Sequence, residues 1–522
     1  RPPKPEPKVQ SDAAMRGDCV MPHCWCRRWS AVACLLALIG IGLASQLRAA
    51  AQPAAEEAKA GQPNILWIIG EDMGPDLACY GTPLVATPNL DRLAAQGCRY
   101  TRAFSTAPIC SAARSALMTG AYQTSFGAQH HRSNRQPGAP GLPSGVRLLS
   151  DRFRQAGYFT ANLIDFLQAP GLHGKGKTDW NFAYKGRPFD SSTWEELKAH
   201  QPFFAQVNFS EAHRIYTKVA SGAVDPAEVT LPPYLADDPL VREDWAAYLN
   251  AIQTLDGEVG AVLKLLESDG MAENTIVMFM GDNGREDFRG KYHLYEQGSS
   301  VPLIVRAPGI VVPGSVSDAL ISGVDIAATT LSLAGIALPE HSHGKPFLGP
   351  QRQQREYLFT AMDRIDDNPD RVRAVRDARW KYLRNFEPER PYLQASGYRA
   401  TTNPTYLAMR KLSAQGRLNA DQRKFMAPSR PEEELYDLEA DPYELQNLAA
   451  SPERAPTLAR LRRQLDQWMH ETGDDRGGRE SPESLEFSLK QYEKTRPKTF
   501  AKNLAELRAN YQNLSEVEPI EP

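Results

Sequence analysis

Asn64-Ile65-Leu66-Trp67-Ile68-Ile69-Gly70-Glu71-Asp72 is the stretch from which the fold can be read. From Asn64 to Ile69 it is an unbroken, mostly apolar run between Pro63 and Gly70. Such a run suits a strand buried on both faces, as in a parallel sheet. Two carboxylates follow at once. A second run, Thr275 to Met280, ends the same way in Gly281-Asp282-Asn283-Gly284. Loops at the carboxyl ends of strands converge on the ligand crevice of an open parallel sheet, so both acidic pairs are expected on one rim. Oxygen-only donors of this kind suit Ca2+, with Mg2+ second, over zinc or copper. Asp-Asn-Gly by itself is ordinary turn chemistry. Its repetition as a second acidic pair beyond a buried strand is what points to a cation site.

Further elements alternate in the same manner. Tyr158 to Ile164, Phe203 to Phe209 and Val301 to Val305 read as strands. Thr87-Pro88 opens a helix that stops at Gly97, with others over Leu148–Ala156 and about Asp244 to Ser268. The pattern predicts an α/β fold with a large, mainly parallel sheet and helices on both faces. Past about 348 the texture changes: Trp380 to Phe386 alternates like a half-exposed strand, and a helix follows from Pro456 to Thr472. The expected organisation is a leader over 1–50, a spacer over 51–62, a catalytic domain over 63–347, a smaller α+β domain over 348–475 and a charged tail over 476–522.

Composition narrows the function. A chain of 522 residues with a net charge of −3 shows no basic excess that would indicate nucleic-acid binding. Arg27-Arg28, the apolar run Trp29 to Leu43 and Arg48-Ala49-Ala50-Ala51 are laid out like a signal peptide, with an apolar stretch short for a bilayer span. A periplasmic or secreted protein without stable membrane insertion is expected. Of seven cysteines, four fall in the leader. Cys79 and Cys98 either pair or remain free thiols, and Cys110 is left as a candidate for chemistry.

Cys110 sits in Pro108-Ile109-Cys110-Ser111-Ala112-Ala113-Arg114-Ser115-Ala116-Leu117-Met118-Thr119-Gly120. A cysteine at a helix start, with Arg114 one turn on and on the same face, makes an electropositive site holding a nucleophile. The order Cys-x-Ala-x-Arg then Leu-x-Thr-Gly resembles the signature of the type I, formylglycine-dependent sulfatases of the alkaline phosphatase superfamily. The resemblance extends to Asn64–Asp72, to Thr87-Pro88-Asn89-Leu90-Asp91, to Gly281–Gly284, and to Gly290-Lys291 with Leu294–Gly298. It continues in Glu434-Leu435-Tyr436-Asp437-Leu438 with Asp441-Pro442. It implies an alkaline phosphatase-like fold and conversion of Cys110 to formylglycine by a maturation enzyme.

Residue roles implied by the resemblance follow. Glu71, Asp72, Asp282, Asn283 and the modified Cys110 would hold the cation. Arg114 would hold the nucleophile, Lys291 and Lys177 would bind sulfate oxygens, and His213 would contact the sulfate and protonate the leaving oxygen. Glu71 stands where the family usually has aspartate, and Asp179 where it usually has histidine. Lys175 is a weaker alternative to Lys177. Gly176 to Phe182 is similar to heparan N-sulfatases or sulfamidases. His130-His131-Arg132 either lines the substrate pocket, where an arginine fork suits a polyanionic glycan, or is a solvated polar loop. The leading expectation is a sulfatase acting on a sulfated carbohydrate. A phosphonate or phosphodiester hydrolase of the same superfamily, or an inactive sulfated-glycan-binding protein, are the alternatives.

Overall fold

In a computed structural model the described residues are 61–136, 138–216, 222–474 and 480–502; the expected leader and nearly all of the spacer lie outside them. From Gln62 onward the chain forms one compact unit. Its large sheet contains β1 (Asn64–Gly70), β2 (Cys98–Phe104), β3 (Phe159–Asp165), β4 (Ser191–Thr193), β5 (Phe203–Phe209), β6 (Thr275–Gly281), β7 (Ser300–Arg306), β8 (Ser315–Ser317) and β9 (Ile321–Ser322). The order is β4-β3-β5-β1-β6-β7-β2-β8, with β9 also on β2. β1 lies parallel between β5 and β6, and β7 runs antiparallel to both β6 and β2.

The unbroken apolar character of β1 has a direct cause. Leu66 and Ile68 pack on one face against Leu90 and Leu93 of the Pro88–Gln96 helix and Ile252, Leu255 and Val259 of the Pro239–Ser268 helix. Ile65, Trp67 and Ile69 pack on the other against Leu117 and Met118 of the Cys110–Thr119 helix and Ile326 and Leu331 of the Gly323–Leu333 helix. Alternate side chains thus enter two cores, and neither face is left for polar residues. The expected α/β architecture is the one observed.

Several elements differ from the sequence reading. The long helix begins five residues earlier than expected, at Pro239, because Asp238 caps it by accepting from the Leu240 amide at 3.0 Å. β2 is absent from the sequence reading. Arg99, Thr101 and Arg102 break its apolar pattern, and its pairing with β7 shifts register between Tyr100 and Ala103. Cys79, Cys98 and Cys110 are all free thiols, so Cys79 and Cys98 do not pair.

A second, wholly antiparallel sheet contains β10 (Leu358–Met362), β11 (Val372–Arg376), β12 (Trp380–Asn385) and β13 (Glu433–Asp437) in sequence order. Leu458, Leu461 and Leu465 of the Ala455–Thr472 helix cover Val375, Tyr382 and Leu435. A further helix, Pro482–Thr495, follows within the expected charged tail.

Arg373 on β11 is buried and holds both oxygens of buried Asp474, Nη2 to Oδ1 at 2.8 Å and Nε to Oδ2 at 2.5 Å, with Asp363 Oδ2 2.9 Å from Nη1. Removing one partner of such a pair leaves a charge uncompensated in the interior. Asp474→Ala is expected to lower unfolding stability by about 3 kcal/mol or more, read as a lower urea midpoint. An unchanged midpoint would show that water reaches and solvates Arg373.

Candidate active site

The register of the central strands builds one rim. Gly70 of β1 stands opposite Gly281 of β6 and Phe209 of β5, so the loops after all three leave the sheet together. The Asp282 amide donates to the Gly70 carbonyl at 3.1 Å and the Glu71 amide to the Phe209 carbonyl at 2.9 Å. Asp72, fully buried, takes a left-handed conformation (φ 55°), and its amide donates to Asp282 Oδ1 at 3.0 Å. A non-glycine residue is seldom held there except where its surroundings enforce it. Gly284 is explained by close approach: a Cβ there would lie 2.1 Å from the Gln297 carbonyl oxygen.

Cations stand against each carboxylate of this rim. Lys291 Nζ donates to Asp72 Oδ2 at 2.7 Å, and Lys177 Nζ to Glu71 Oε1. Arg114 Nε donates to Asp282 Oδ2 at 2.8 Å, while its Nη1 reaches Asn208 Oδ1 at 2.5 Å. His213 Nε2 is 3.6 Å from Asp72 Oδ2 and 3.8 Å from Glu71 Oε1, with its Nδ1 2.7 Å from the Arg214 carbonyl. Burial alone would raise the Asp282 carboxyl, yet Arg114 and Lys177 hold it below its ordinary value. Burial likewise opposes charge on Lys291, and Asp72, Tyr398 and Glu286 together outweigh it to push the ammonium up. His213 is lowered, chiefly by burial.

The Cys110–Thr119 helix brings Cys110 to this rim. Every residue of it is buried, and Ser111, Ala112, Ala113, Ser115 and Ala116 are small enough to permit that. Cys110 is its first residue, 2% exposed. Burial first, then the carboxylates of Asp179, Asp282 and Asp72, push its thiol well up, against the opposing charge of Lys291. A thiol in this setting stays protonated and is a weak nucleophile.

One donor of this rim bears on the cation that the sequence implies. Asn283 Nδ2 donates to Asp72 Oδ1 at 3.0 Å and to the Gly284 carbonyl at 2.8 Å, which leaves Asn283 Oδ1 buried without a partner. A buried unsatisfied acceptor is costly, and beside carboxylates it is the donor a hard cation takes. Among the described residues no three His, Cys, Asp or Glu side chains converge as ligands; as arranged, Lys177, Lys291 and Arg114 each engage an oxygen of Glu71, Asp72 and Asp282. The oxygens of Glu71, Asp72, Asp282 and Asn283 suit such an ion. The Cys110 sulfur does not, and fits only once oxygen replaces it.

Glu71, Asp72, Asp282, Asn283, Cys110, Arg114, Lys177, Lys291 and His213 therefore meet at one place. Lys175 lies outside it, with Nζ 4.0 Å from Glu211. Asp179 contributes a carboxylate 3.4 Å from Lys177 and 3.9 Å from Arg114. The His130–Arg132 segment divides. The His130 ring faces Glu480, Nδ1 to Oε2 at 3.7 Å. His131, 2% exposed, is wedged between Ser111 Oγ at 2.5 Å and Asp366 Oδ1 at 3.4 Å, behind the pocket surface. Arg132 keeps 43% of its side chain exposed, with Nη1 3.7 Å from Asp366.

Sequence reasoning missed a set of supporting residues. Asn208 meets Arg114, Glu286 lies 3.8 Å from Lys291, and Tyr398 donates to Glu286 at 3.0 Å. Asp366, from the loop between β10 and β11, accepts from Tyr292 at 2.6 Å. The density of charge in Asp363-Arg364-Ile365-Asp366-Asp367 was the available signal.

A family model described as Sulfatase matches residues 63–336, more than half of the chain. One described as N-sulphoglucosamine sulphohydrolase, C-terminal, matches residues 284–392. An "Ulvan-active sulfatase" from Formosa agariphila is 36% identical over 464 residues, covering 79% of this chain and 76% of that protein. The human "N-sulphoglucosamine sulphohydrolase" is 27% identical, covering 79% of this chain and 90% of its own. In fold, a solved 2-O GAG sulfatase superposes with a TM-score of 0.58 at 21% identity, covering 79% of this chain and 93% of that one. Cys110 at its buried helix start and the acidic rim both lie within the residues that the sulfatase family model matches, and the chain belongs to the sulfatase family, as a hydrolase of sulfuric esters.

Proposed function

We propose that this protein removes sulfate from a sulfated carbohydrate, as an O-sulfate ester or a sulfamate, after Cys110 has been converted to formylglycine by a maturation enzyme. The observation that carries the reading is the convergence of Cys110 and Arg114 with three buried carboxylates, Asn283, two lysines and His213. Relatives named for ulvan and for N-sulphoglucosamine support a saccharide substrate. Export to the periplasm or beyond the cell belongs to the same reading. Among the described residues no helix is long and apolar enough to cross a membrane.

The geometry supports a role for each residue. Glu71, Asp72, Asp282 and Asn283 would hold Ca2+, with Mg2+ the second choice; when bound, the cation polarises the sulfate and makes the attacking hydroxyl more acidic. Hydrated formylglycine supplies that hydroxyl. Arg114, fixed by Asp282 and Asn208, keeps it in place and balances its charge. Lys291 is buried to 3% and anchored, so its charge is preorganised for the sulfate oxygens. Lys177, on Glu71, would act in the same capacity. His213 is the exposed edge of the cluster, with 25% of its side chain open toward incoming substrate. Its Nδ1 faces the Arg214 carbonyl, which suits an N–H there, so Nε2 gives a proton to the leaving oxygen when the ring carries both protons, a state that the Asp72 carboxylate favours. With aspartate at 179 where the family usually has histidine, the group beside Lys177 is a carboxylate and not an imidazole.

Peptide mass spectrometry of protein from a maturation-competent host should find an aldehyde or its hydrate at Cys110. Such protein should turn over sulfated saccharides and aryl sulfates in preference to aryl phosphodiesters, and Cys110→Ala should lose turnover while keeping its melting temperature. Fully active protein that carries only the free thiol would overturn the mechanism, and a preference for phosphodiesters would overturn the substrate class.

Separate roles for His213 and Lys291 are expected in the leaving-group dependence. His213→Ala and Lys291→Ala should each lower kcat/KM for a sulfated saccharide by about 10²-fold. An activated aryl sulfate scarcely needs protonation, so it should be far less sensitive to His213→Ala yet equally sensitive to Lys291→Ala. Equal loss for both leaving groups in His213→Ala would make His213 a binding residue only.

A further inference from the structure

The described part of the charged tail, residues 480–502, reaches the wall of the active site by two routes. Glu480 is the first. Its side chain is 6% exposed and grips Arg364, with Nη2 to Oε1 at 2.9 Å and Nε on Oε2. Gln136 Nε2 and Ser484 Oγ add donors to Oε1 at 3.0 and 2.6 Å. The same guanidinium donates to the carbonyls of His131 at 2.9 Å and Asp366 at 2.8 Å, and the His131 amide returns a bond to the Arg364 carbonyl at 2.9 Å. One buried ion pair therefore fixes the backbone on both sides of the pocket wall.

That wall needs external support. Asp366 and Arg132 face each other, and both are non-glycine residues in the left-handed region, with φ 49° and 59°. Such conformations persist only where surrounding contacts over-determine them. From Asp366 the network continues through His131 to Ser111, the neighbour of Cys110. The second route is Tyr492. A Cβ on Gly397 would lie 1.7 Å from its ring, so the ring is seated on a backbone that only glycine leaves open. The next two residues, Tyr398 and Arg399, bond Glu286 and the Lys291 carbonyl at 3.0 and 2.6 Å.

We propose that Glu480 is a positioning residue for the active site: through Arg364 it sets the Asp366–His131–Arg132 wall beside Cys110, and the C-terminal segment thereby completes the rim that receives the sugar. The proposal rests on the reading of Cys110 as the nucleophile. A carboxylate that served only to stabilise the fold would act on every substrate alike and independently of Asp366.

Kinetics on a sulfated oligosaccharide and on an aryl sulfate, in the full-length Glu480→Ala, Asp366→Ala and double variants, separate the two cases. Glu480→Ala should lower kcat/KM for the oligosaccharide by about tenfold or more, mainly through KM, and should largely spare the aryl sulfate, with Glu480→Asp recovering part of the loss. In the double variant the loss should be no greater than in Asp366→Ala alone, since a residue acting through another has nothing to add once that one is gone. Multiplying losses, or wild-type oligosaccharide turnover in Glu480→Ala, would overturn the proposal. If the alanine variant does not fold, Glu480→Gln keeps the shape of the side chain and removes its charge. Hydrogen exchange decides the clamp without reference to activity: the His131 amide should exchange faster in the Glu480 variant while the amides of β1 and β6 keep their protection. Unchanged protection of His131 overturns the clamp, whereas absence of sulfatase activity in the wild type would count against the functional reading alone.

Discussion

Burying several carboxylates in one crevice is unfavourable unless positive charge stands against each of them. In this protein Glu71, Asp72 and Asp282 leave the ends of two adjacent parallel strands, and Lys177, Lys291 and Arg114 close on them. The surrounding structure follows from that balance. Asp72 adopts its left-handed conformation so that its amide can serve Asp282. Asn283 is turned by two bonds of its amide nitrogen, which leaves its oxygen among the carboxylates. The helix that begins at Cys110 is buried on all sides, which fixes Arg114 as the only guanidinium its first turn brings to the cluster.

Such a cluster is suited to an anionic substrate. A sulfate ester or sulfamate, singly charged, would bring oxygens that compete for the lysines and arginine, and a cation would take the carboxylate oxygens in exchange. On the proposed reading the site would trade internal ion pairs for contacts with substrate and metal. The net charge of −3 is irrelevant to this attraction, which is local. The second sheet takes part as well, since its β10–β11 loop brings Arg364 and Asp366 to the wall beside Cys110.

Most of the core of this arrangement was legible in the sequence, and the reason is local. β1, β5 and β6 are buried on both faces, so their apolar runs are unmistakable, and the acidic residues lie directly beyond them. Cys110 and Arg114 are one helical turn apart and need no long-range information. What the sequence hid depends on contacts between distant segments. β2 carries Arg99 and Arg102 near the sheet edge and lacks an apolar run. His130 and His131 look alike beside Arg132, yet only the tertiary positions of Glu480, Ser111 and Asp366 separate them. The tail reads as merely charged because Glu480 and Tyr492 gain meaning only from Arg364 and Gly397, each about a hundred residues away.

On the proposed reading the oxygens at the ends of β1 and β6 would form a divalent cation site balanced by the neighbouring lysines and arginine. Calorimetric titration of Ca2+, and separately Mg2+, into chelator-stripped protein decides this. A single binding event per chain is expected, tighter for Ca2+, that disappears in Asp282→Ala while the variant stays folded. Stripped wild-type protein that binds neither ion, or an Asp282→Ala variant that binds as the wild type does, would contradict it.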